Sequence, residues 1–405
     1  MQHSRSIAMT AVGVTAALLL SACSSGGAGG GGTSAPQVGI SAHKVVTIGW
    51  DSVQSGPQAV YWNETKAATA YLKNVNEKGG INGYTFAFQD KDNALSSSQS
   101  AAVTRDLSTN SFAVASFGTA PVQGMLSVAG KLGVPNFGTA NGLYYTPPPD
   151  KYSFGENPNY AALAKNDIAF LVKKLGLKKI AYLYQNDDVG TPASKIVNGY
   201  AKSLGAEIVA QVPVPSTTTD FSAFAGRLAN SGADGVDFVG SPAELAGVQN
   251  AAVALGYNPK WIGLWSLQDP SYTKAVPAAY VANTYSDAWM TPLNSTGNSE
   301  VDTYKKVVGK YYPDIVDSSL SEQGWIIGAI IAEAVKTATA GGKALTKDGF
   351  LHALATRFTG QQVGLMNVKF DAKSHAAAST AAVFGLSATG IGKLAQDFQP
   401  LPSAG

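Results

Sequence analysis

The chain has 405 residues and a mass of 41.7 kDa, which is enough for two domains of ordinary size. Charged residues make up 14% of it and hydrophobic residues 45%, so it can bury a large core. A net charge of +2 with no basic run argues against nucleic acid as a partner. One Cys and four scattered His exclude a disulfide framework and argue against a metal site, and we expect no cofactor.

The N-terminal segment predicts an exported protein. Its apolar run from about Ile7 to Leu20 is too short to span a bilayer and is typical of a signal peptide, here residues 1–22. The run ends in Leu20-Ser21-Ala22-Cys23, which contains the only cysteine and resembles the lipobox of bacterial lipoproteins. The resemblance implies that Cys23 is lipidated and anchors the protein to the cell membrane from outside. The alternative is an ordinary signal peptide with an incidental cysteine.

A tether is predicted between this cysteine and the folded part of the chain. Together with Cys23 it forms the segment 23–43, which is rich in Gly and Ser. These residues offer no side chains to bury, so the segment is expected to be flexible. No later stretch reaches the ~18 consecutive apolar residues of a transmembrane helix.

From Lys44 onward, β-branched runs alternate with longer Ala-rich segments. This alternation predicts parallel sheets that are covered by helices on both faces. The first series has strands near 45–50, 84–89, 112–117 and 134–137 and helices near 59–76, 96–108 and 121–132. The second has strands near 179–185, 206–212, 235–240 and 260–264 and helices near 160–175, 191–204, 220–230 and 243–255.

The last third departs from this alternation. One strand is predicted near 281–286, then helices near 298–311, 319–339 and 346–356, and then strands near 365–370 and 380–386. A run of helices followed by late strands indicates that the chain crosses back to the first unit and then returns to the second.

Several short motifs carry a resemblance to a known family. They are Ser55-Gly56-Pro57, Tyr61, the stretch 76–83 (NEKGGING), Asp90-Lys91-Asp92-Asn93, Gly133-Val134-Pro135 and Val368-Lys369-Phe370-Asp371. In this order they resemble the branched-chain amino-acid binding proteins, which are type I periplasmic solute-binding proteins of ABC transporters. The resemblance spans roughly residues 44–390.

The resemblance implies an α/β fold of two Rossmann-like lobes with parallel-sheet cores, joined by three crossover strands. Lobe 1 would comprise residues 44–156 plus 287–363, and lobe 2 residues 157–286 plus 364–397. Such lobes close on a ligand like a hinge. The bending is expected near residues 154–158, 285–290 and 362–366.

In lobe 1, the family's carboxylate-binding hydroxyl falls on Thr119, followed by Ala120. A hydroxyl and free N–H groups at a helix N-terminus favour an anion, although Thr119 could instead be the N-cap of a helix that starts at Pro121. A second carboxylate loop maps to Ala140, Asn141 and Gly142, and Gly142 stands where the family usually has a hydroxyl. There the N–H groups of Ala140 and Gly142 and the Asn141 side chain would serve.

Tyr61 falls on the aromatic position that packs against the ligand side chain in the family. A partly buried helix aromatic is the alternative role for this residue.

In lobe 2 the sequence departs from the family. Trp265 stands where the family has the acidic residue that holds the ligand ammonium, and Val189 and Ser241 stand at its tyrosine positions. A buried ammonium without an acidic partner is costly, so we expect a ligand that is not a zwitterionic amino acid bound in the usual way. Trp265 and Tyr61, together with Trp289, suggest a flat or apolar ligand body. A displaced acid remains open, with three candidates: Asp187, Asp188 and Glu244.

These observations predict an extracytoplasmic binding lipoprotein that delivers a small molecule to an ABC permease. The ligand would be an aromatic or apolar acid or amide, and the protein a monomer that performs no catalysis. Alternatives are a branched-chain amino-acid binding protein with displaced amine contacts, a ligand sensor of the same fold, and an α/β enzyme. The motifs of a hydrolase nucleophile and of phosphate-binding loops are absent from the folded part of the sequence.

Overall fold

The computed structural model describes residues 37–56 and 58–404. The predicted signal peptide, Cys23 and most of the tether therefore lie outside the described residues. None of the helices in the described part is long and apolar enough to cross a bilayer.

The first sheet has five parallel strands in the order β2-β1-β3-β4-β5. Apart from its edge strand β2, which is only partly buried, its strands are largely buried, as expected for a parallel sheet with helices on both faces. Its strands are β1 (Val45–Ser52), β2 (Thr85–Asp92), β3 (Ala113–Phe117), β4 (Asn136–Thr139) and β5 (Ser153–Gly155). The helices between them are α1 (Trp62–Glu77), α2 (Ser97–Leu107) and α3 (Thr119–Leu132).

The chain then continues into a second set of alternating elements. Its parallel strands are β6 (Lys179–Gln185), β7 (Glu207–Val214), β8 (Gly235–Val239), β9 (Lys260–Gly263) and β10 (Thr284–Ala288). The helices are α4 (Tyr160–Lys173), α5 (Thr191–Ser194), α6 (Val197–Ser203), α7 (Ser222–Ser231), α8 (Pro242–Val253), α9 (Pro270–Ala275) and α10 (Ala278–Val281).

The last third contributes to both sheets. It contains α11 (Ser299–Tyr311), α12 (Leu320–Ala338), α13 (Lys347–Arg357), the hairpin β11 (Thr359–Val363) and β12 (Met366–Lys369), and the strands β13 (Thr380–Ser387) and β14 (Gly390–Pro400). β13 and β14 add antiparallel strands to the second sheet, whose order is β14-β13-β10-β9-β8-β6-β7. The helices instead return to the first sheet, where α12 packs along α1.

Two glycines of α12 allow this packing. A Cβ atom at Gly324 would lie 1.7 Å from the backbone oxygen of Glu64 in α1, and one at Gly328 would lie 2.8 Å from the Cβ of Tyr71. Any larger residue at position 324 would therefore push the two helices apart. The contact buries the start of α1, including Glu64.

The predicted fold class is confirmed, and all the strands and helices predicted from the alternation are present. The helix predicted near 191–204 is divided into α5 and α6, and the strands β5, β11 and β14 and the short helices α9 and α10 were not predicted. β14 has an irregular, mostly exposed burial pattern, because it is an edge strand held by pairing with β13. The predicted bending segment 362–366 lies at the turn of the β11–β12 hairpin, and the chain rejoins the second sheet only at Thr380. The exact lobe boundaries stay a prediction.

Candidate functional site

A cavity of about 360 Å³ lies where the carboxyl ends of strands from both sheets face each other. The carboxyl ends of parallel strands are the usual place for ligands in α/β folds. On the side of the first sheet, the segments after β3 and β4 and the start of α1 line it. On the side of the second sheet, the loops after β6, β8 and β9 line it.

Six of the predicted ligand-binding residues line this cavity. They come from widely separated parts of the chain, which the fold brings together: Tyr61, Thr119, Ala120, Val189, Ser241 and Trp265. Whether they contact a ligand stays a prediction.

The alternative role of Thr119 as a helix N-cap is wrong. The N-cap of α3 is Gly118, whose φ of 90° favours glycine, and Thr119 is the first residue of the helix. Its side chain makes no capping bond. The first N–H groups of a helix lack partners within the helix, so those of Thr119 and Ala120 remain available at the cavity wall.

The second predicted carboxylate loop does not line the cavity. Asn141 Oδ1 accepts hydrogen bonds from the backbone N–H groups of Leu143 and Tyr160, both at 3.1 Å. The N–H of Gly142 donates to the Pro158 carbonyl oxygen at 3.0 Å, and Ala140 is fully buried. The Asn141 side chain and the Gly142 N–H are therefore not free for a ligand, because they hold the chain after β5 against the chain after β4.

Packing also explains why position 142 is a glycine. A Cβ atom there would lie 2.7 Å from the backbone oxygen of Asn157, which real Cβ atoms do not tolerate. A serine or threonine, as the family usually has, would require this loop to move.

Among the polar residues of the cavity wall that were not predicted, Glu64 and Thr139 form a hydrogen-bonded pair. Thr139 Oγ1 donates to Glu64 Oε2 at 2.6 Å, while Glu64 Oε1 has no hydrogen-bond partner among the described residues. The sequence does contain a pattern that indicates the burial of Glu64. Glu64, Ala67 and Ala68 follow the i, i+3, i+4 spacing of the buried face of α1, which places a lone carboxyl among small apolar residues.

Burial dominates the electrostatics of this wall. It raises the pKa of Glu64 well above its ordinary value; the Thr139 hydrogen bond opposes this shift and the neighbouring Glu156 adds to it. Burial likewise raises the pKa of Glu156 to about 7, against the hydrogen bonds from Trp289 Nε1 and Gln323 Nε2, both 2.9 Å long.

The aromatic part of the site is centred on Trp265. Its ring lies 4.6 Å from that of Trp289, at an interplanar angle of 58°. Trp289 is buried and packs behind Trp265, which lines the cavity. The indole Nε1 of Trp265 has no hydrogen-bond partner among the described residues. The pair therefore places an apolar aromatic surface at the cavity wall.

The acidic loop after β6 also reaches the cavity. Asp188 Oδ2 accepts from the Tyr144 hydroxyl at 3.1 Å and from Gln123 Nε2, and the Asp188 carbonyl oxygen accepts from Asn141 Nδ2 at 3.2 Å. Asp188 is therefore not a freely solvated loop residue. It joins the second-sheet side of the cavity to segments on the first-sheet side.

Glu244 is less available. It forms a capping box with Ser241 at the start of α8, in which the Ser241 N–H donates to Glu244 Oε2 at 2.9 Å. Burial raises the pKa of Glu244 to about 7.

The ionisable residues among the described cavity-lining side chains are Glu64, Asp187, Asp188 and the phenols of Tyr61 and Tyr160; none is Lys, Arg or His. An anionic group of a ligand would therefore depend on N–H and O–H donors. The described residues also contain no group of three His, Cys, Asp or Glu arranged to hold a metal ion.

Two α/β sheets that meet at a cavity between their carboxyl ends define the class of type I binding proteins. The sequence matches the family model described as periplasmic binding protein over residues 45–390, and the chain belongs to this family. Membership implies an extracytoplasmic location. No curated protein matches the sequence.

Solved structures share the fold at low sequence identity. The fatty acid ABC transporter substrate-binding protein from Thermomonospora curvata is 18% identical, with a TM-score of 0.78 over 91% of this chain and 97% of that chain. LivJ from Streptococcus pneumoniae, in complex with isoleucine, is 21% identical, with a TM-score of 0.77 over 88% of this chain and 100% of LivJ. A branched-chain amino-acid ABC transporter protein from Thermus thermophilus with bound valine is 16% identical, with a TM-score of 0.80 over 88% and 97%.

Proposed function

We propose that this protein is a solute-binding lipoprotein that captures a small molecule in its cavity and delivers it to an ABC permease. The observation that carries the proposal is the cavity whose walls come from both sheets and contain Thr119 and Trp265. The proteins of similar fold from Thermomonospora curvata and Thermus thermophilus belong to ABC transporters, which supports a transport role.

Binding is a shift between open and closed forms. The proposed lobes are residues 44–156 plus 287–363 and residues 157–286 plus 364–397. A ligand that touches Thr119 on one side and Trp265 on the other makes its full set of contacts only when the lobes are closed. Closure is then stabilised by the difference in affinity between the two forms.

The ligand has a flat or apolar body and a polar end. The body packs on Trp265 and Tyr61, and the polar end, an acid or an amide, meets Thr119 and Ala120 at the start of α3. No catalytic step is part of this function. Cys23 carries the lipid that holds the protein at the membrane, and a monomer suffices for capture and delivery.

A branched-chain amino acid is a second candidate. Asp187 and Asp188 line the cavity and place negative charge where an ammonium group displaced from the usual position could lie. The capping role of Glu244 makes that residue the weaker candidate for an amine contact. A ligand sensor is a third candidate, and it would use the same closure to engage a signalling protein.

A thermal-shift panel on the chain from Ser24 onward tests the function. The panel contains amino acids, aromatic acids, amides and small lipids, and a ligand raises the melting temperature by mass action. A concentration-dependent shift with a compound that is recovered unchanged supports a binding protein. Conversion of the compound supports an enzyme instead. A neighbouring permease and ATPase in the genome would favour transport over sensing.

A further inference from the structure

The carboxyl of Glu64 is held in the cavity wall by the packing of α12 on α1. Gly324 brings the α12 backbone against the backbone of Glu64, and the side chain of Glu64 is fully buried yet lines the cavity. The residue is therefore part of the cavity wall, while its side chain is shielded from bulk water.

The two oxygens of this carboxyl differ. Oε2 accepts the hydroxyl proton of Thr139 at 2.6 Å, whereas Oε1 has no partner among the described residues. An unpaired buried polar atom is unfavourable, and such atoms in folded proteins usually have a hydrogen-bond partner. The cavity is where that partner can come from.

The surroundings favour the protonated form of Glu64. Burial raises its pKa well above the ordinary value. The titratable groups that act on it or share the cavity wall with it are phenols and carboxyls: Tyr61 next to α1, Tyr160 in α4, Glu156 after β5, and Asp187 and Asp188 across the cavity. Glu322 of α12 in turn interacts with Glu156. Because Thr139 donates to Oε2, the carboxyl proton of the neutral acid resides on Oε1.

We propose that Glu64 is a ligand-binding residue whose protonated Oε1 donates a hydrogen bond to a carbonyl or carboxylate oxygen of the ligand. This role for Glu64 rests on the proposed function. Glu64 would then be one of several hydrogen-bond donors on the same side of the cavity. The others are the N–H groups of Thr119 and Ala120 and the Thr119 hydroxyl. These donors select a ligand that carries an acceptor oxygen, although none of the described lining residues is cationic.

Three probes of similar size differ in the hydrogen-bonding groups at their polar end: phenylacetate, phenylacetamide and phenethylamine. The first presents only acceptors, the second both kinds of group, and the third only donors. Titration calorimetry on the mature protein is expected to give affinities for phenylacetate and phenylacetamide at least about tenfold tighter than for phenethylamine.

Two variants test whether the Oε1 proton is the contact. Gln at position 64 can accept from Thr139 through its oxygen and donate to the ligand through its amide nitrogen, whereas Leu can do neither. At about pH 5 the E64L variant is expected to bind phenylacetamide about tenfold or more weakly than E64Q. With rising pH the wild-type affinity is expected to fall more steeply than that of E64Q, since only the wild type loses the proton of residue 64. E207Q, at an exposed residue of β7, is the control and should follow the wild type.

Equal affinities of E64Q and E64L would overturn the proposal, because the donor would then contribute nothing. A preference for phenethylamine, or a wild-type affinity that rises with pH, would overturn it as well, because the ionised acceptor form would then be the binding form. Binding of none of the three probes would overturn the ligand class. The wider thermal-shift panel separates these results from a failure of the proposed function, because it reports whether any other solute binds.

Discussion

The hydroxyl of Tyr144 lies 3.1 Å from Oδ2 of Asp188 and donates a hydrogen bond to it. Tyr144 follows β4 of the first sheet, and Asp188 follows β6 of the second. Asp188 Oδ2 also accepts from Gln123 Nε2 in α3. Contacts of this kind stabilise the arrangement in which the two sides of the cavity are close together.

The Tyr144→Phe substitution removes this bond and leaves the ring in place. We expect the closed arrangement to lose about 0.5–1.5 kcal/mol, which weakens affinity for a ligand from the panel by up to about tenfold. The loss should appear mainly as faster dissociation in stopped-flow measurements. Tyr200→Phe in α6 removes a hydroxyl from a residue that does not line the cavity and should leave the affinity unchanged. Equal effects of the two substitutions would refute the role of the contact.

The Trp265→Ala substitution tests the aromatic surface. If the ring packs on the ligand, its removal should weaken binding by about 2–4 kcal/mol, as the loss of a central aromatic contact typically does. Calorimetry with a ligand from the panel measures this. Trp62→Ala is a matched control, since Trp62 lies in α1 and does not line the cavity. Unchanged affinity of the Trp265 variant would remove this residue from the site.

The raised pKa of Glu156 predicts a pH dependence of folding. Between the ordinary value of 4.5 and about 7 the unfolded chain releases this proton while the folded protein keeps it, so the free energy of unfolding falls as pH rises. The full effect from this one group is about 3 kcal/mol and is complete above about pH 7. Urea unfolding at about pH 5 and about pH 8 should show a smaller difference for Glu156→Gln than for the wild type.

Other buried carboxyls also contribute to the change in the free energy of unfolding with pH. Only the difference between the wild type and Glu156→Gln is therefore diagnostic. Their pKa values are raised in the same direction, mainly by burial, and they include Glu64, Asp167, Asp237 and Asp287. If the free energy of unfolding changes with pH by the same amount in the wild type and in Glu156→Gln, Glu156 stays ionised in the folded protein.

The Cys23→Ser substitution tests the lipid anchor. Without the thiol no lipid can be attached, and a signal-directed protein should then be released from the membrane. Cell fractionation and detection in the medium measure this. Continued membrane association of the variant would contradict the lipobox assignment.

The elements that position the site could be predicted from the sequence because they follow local patterns. β3 and α3 are marked by an apolar run and by a helix start, and the turn between them places Thr119 at the cavity. The loop at Asn141 could not be placed in this way, because its side chain and the neighbouring backbone bond to residues after β5 that no local pattern connects to it.

Glu64 was missed, and the hydrogen bonds of Asp188, one of the three acids left open, were not predicted, for a related reason. A carboxyl near the start of a helix or in a loop is normally solvated, and only tertiary contacts change this. Glu64 is buried because α12, more than 250 residues later, packs on α1 at Gly324. Asp188 is engaged because Tyr144 and Gln123 come from the other sheet.

The paired indoles of Trp265 and Trp289 make the protein an optical reporter of its own occupancy. One ring faces the cavity and the other is buried directly behind it. A guest that replaces water beside the outer ring changes the polarity around that ring, so its emission should change without any attached dye. Among the six tryptophans of the chain, Trp265→Phe would identify the origin of that signal.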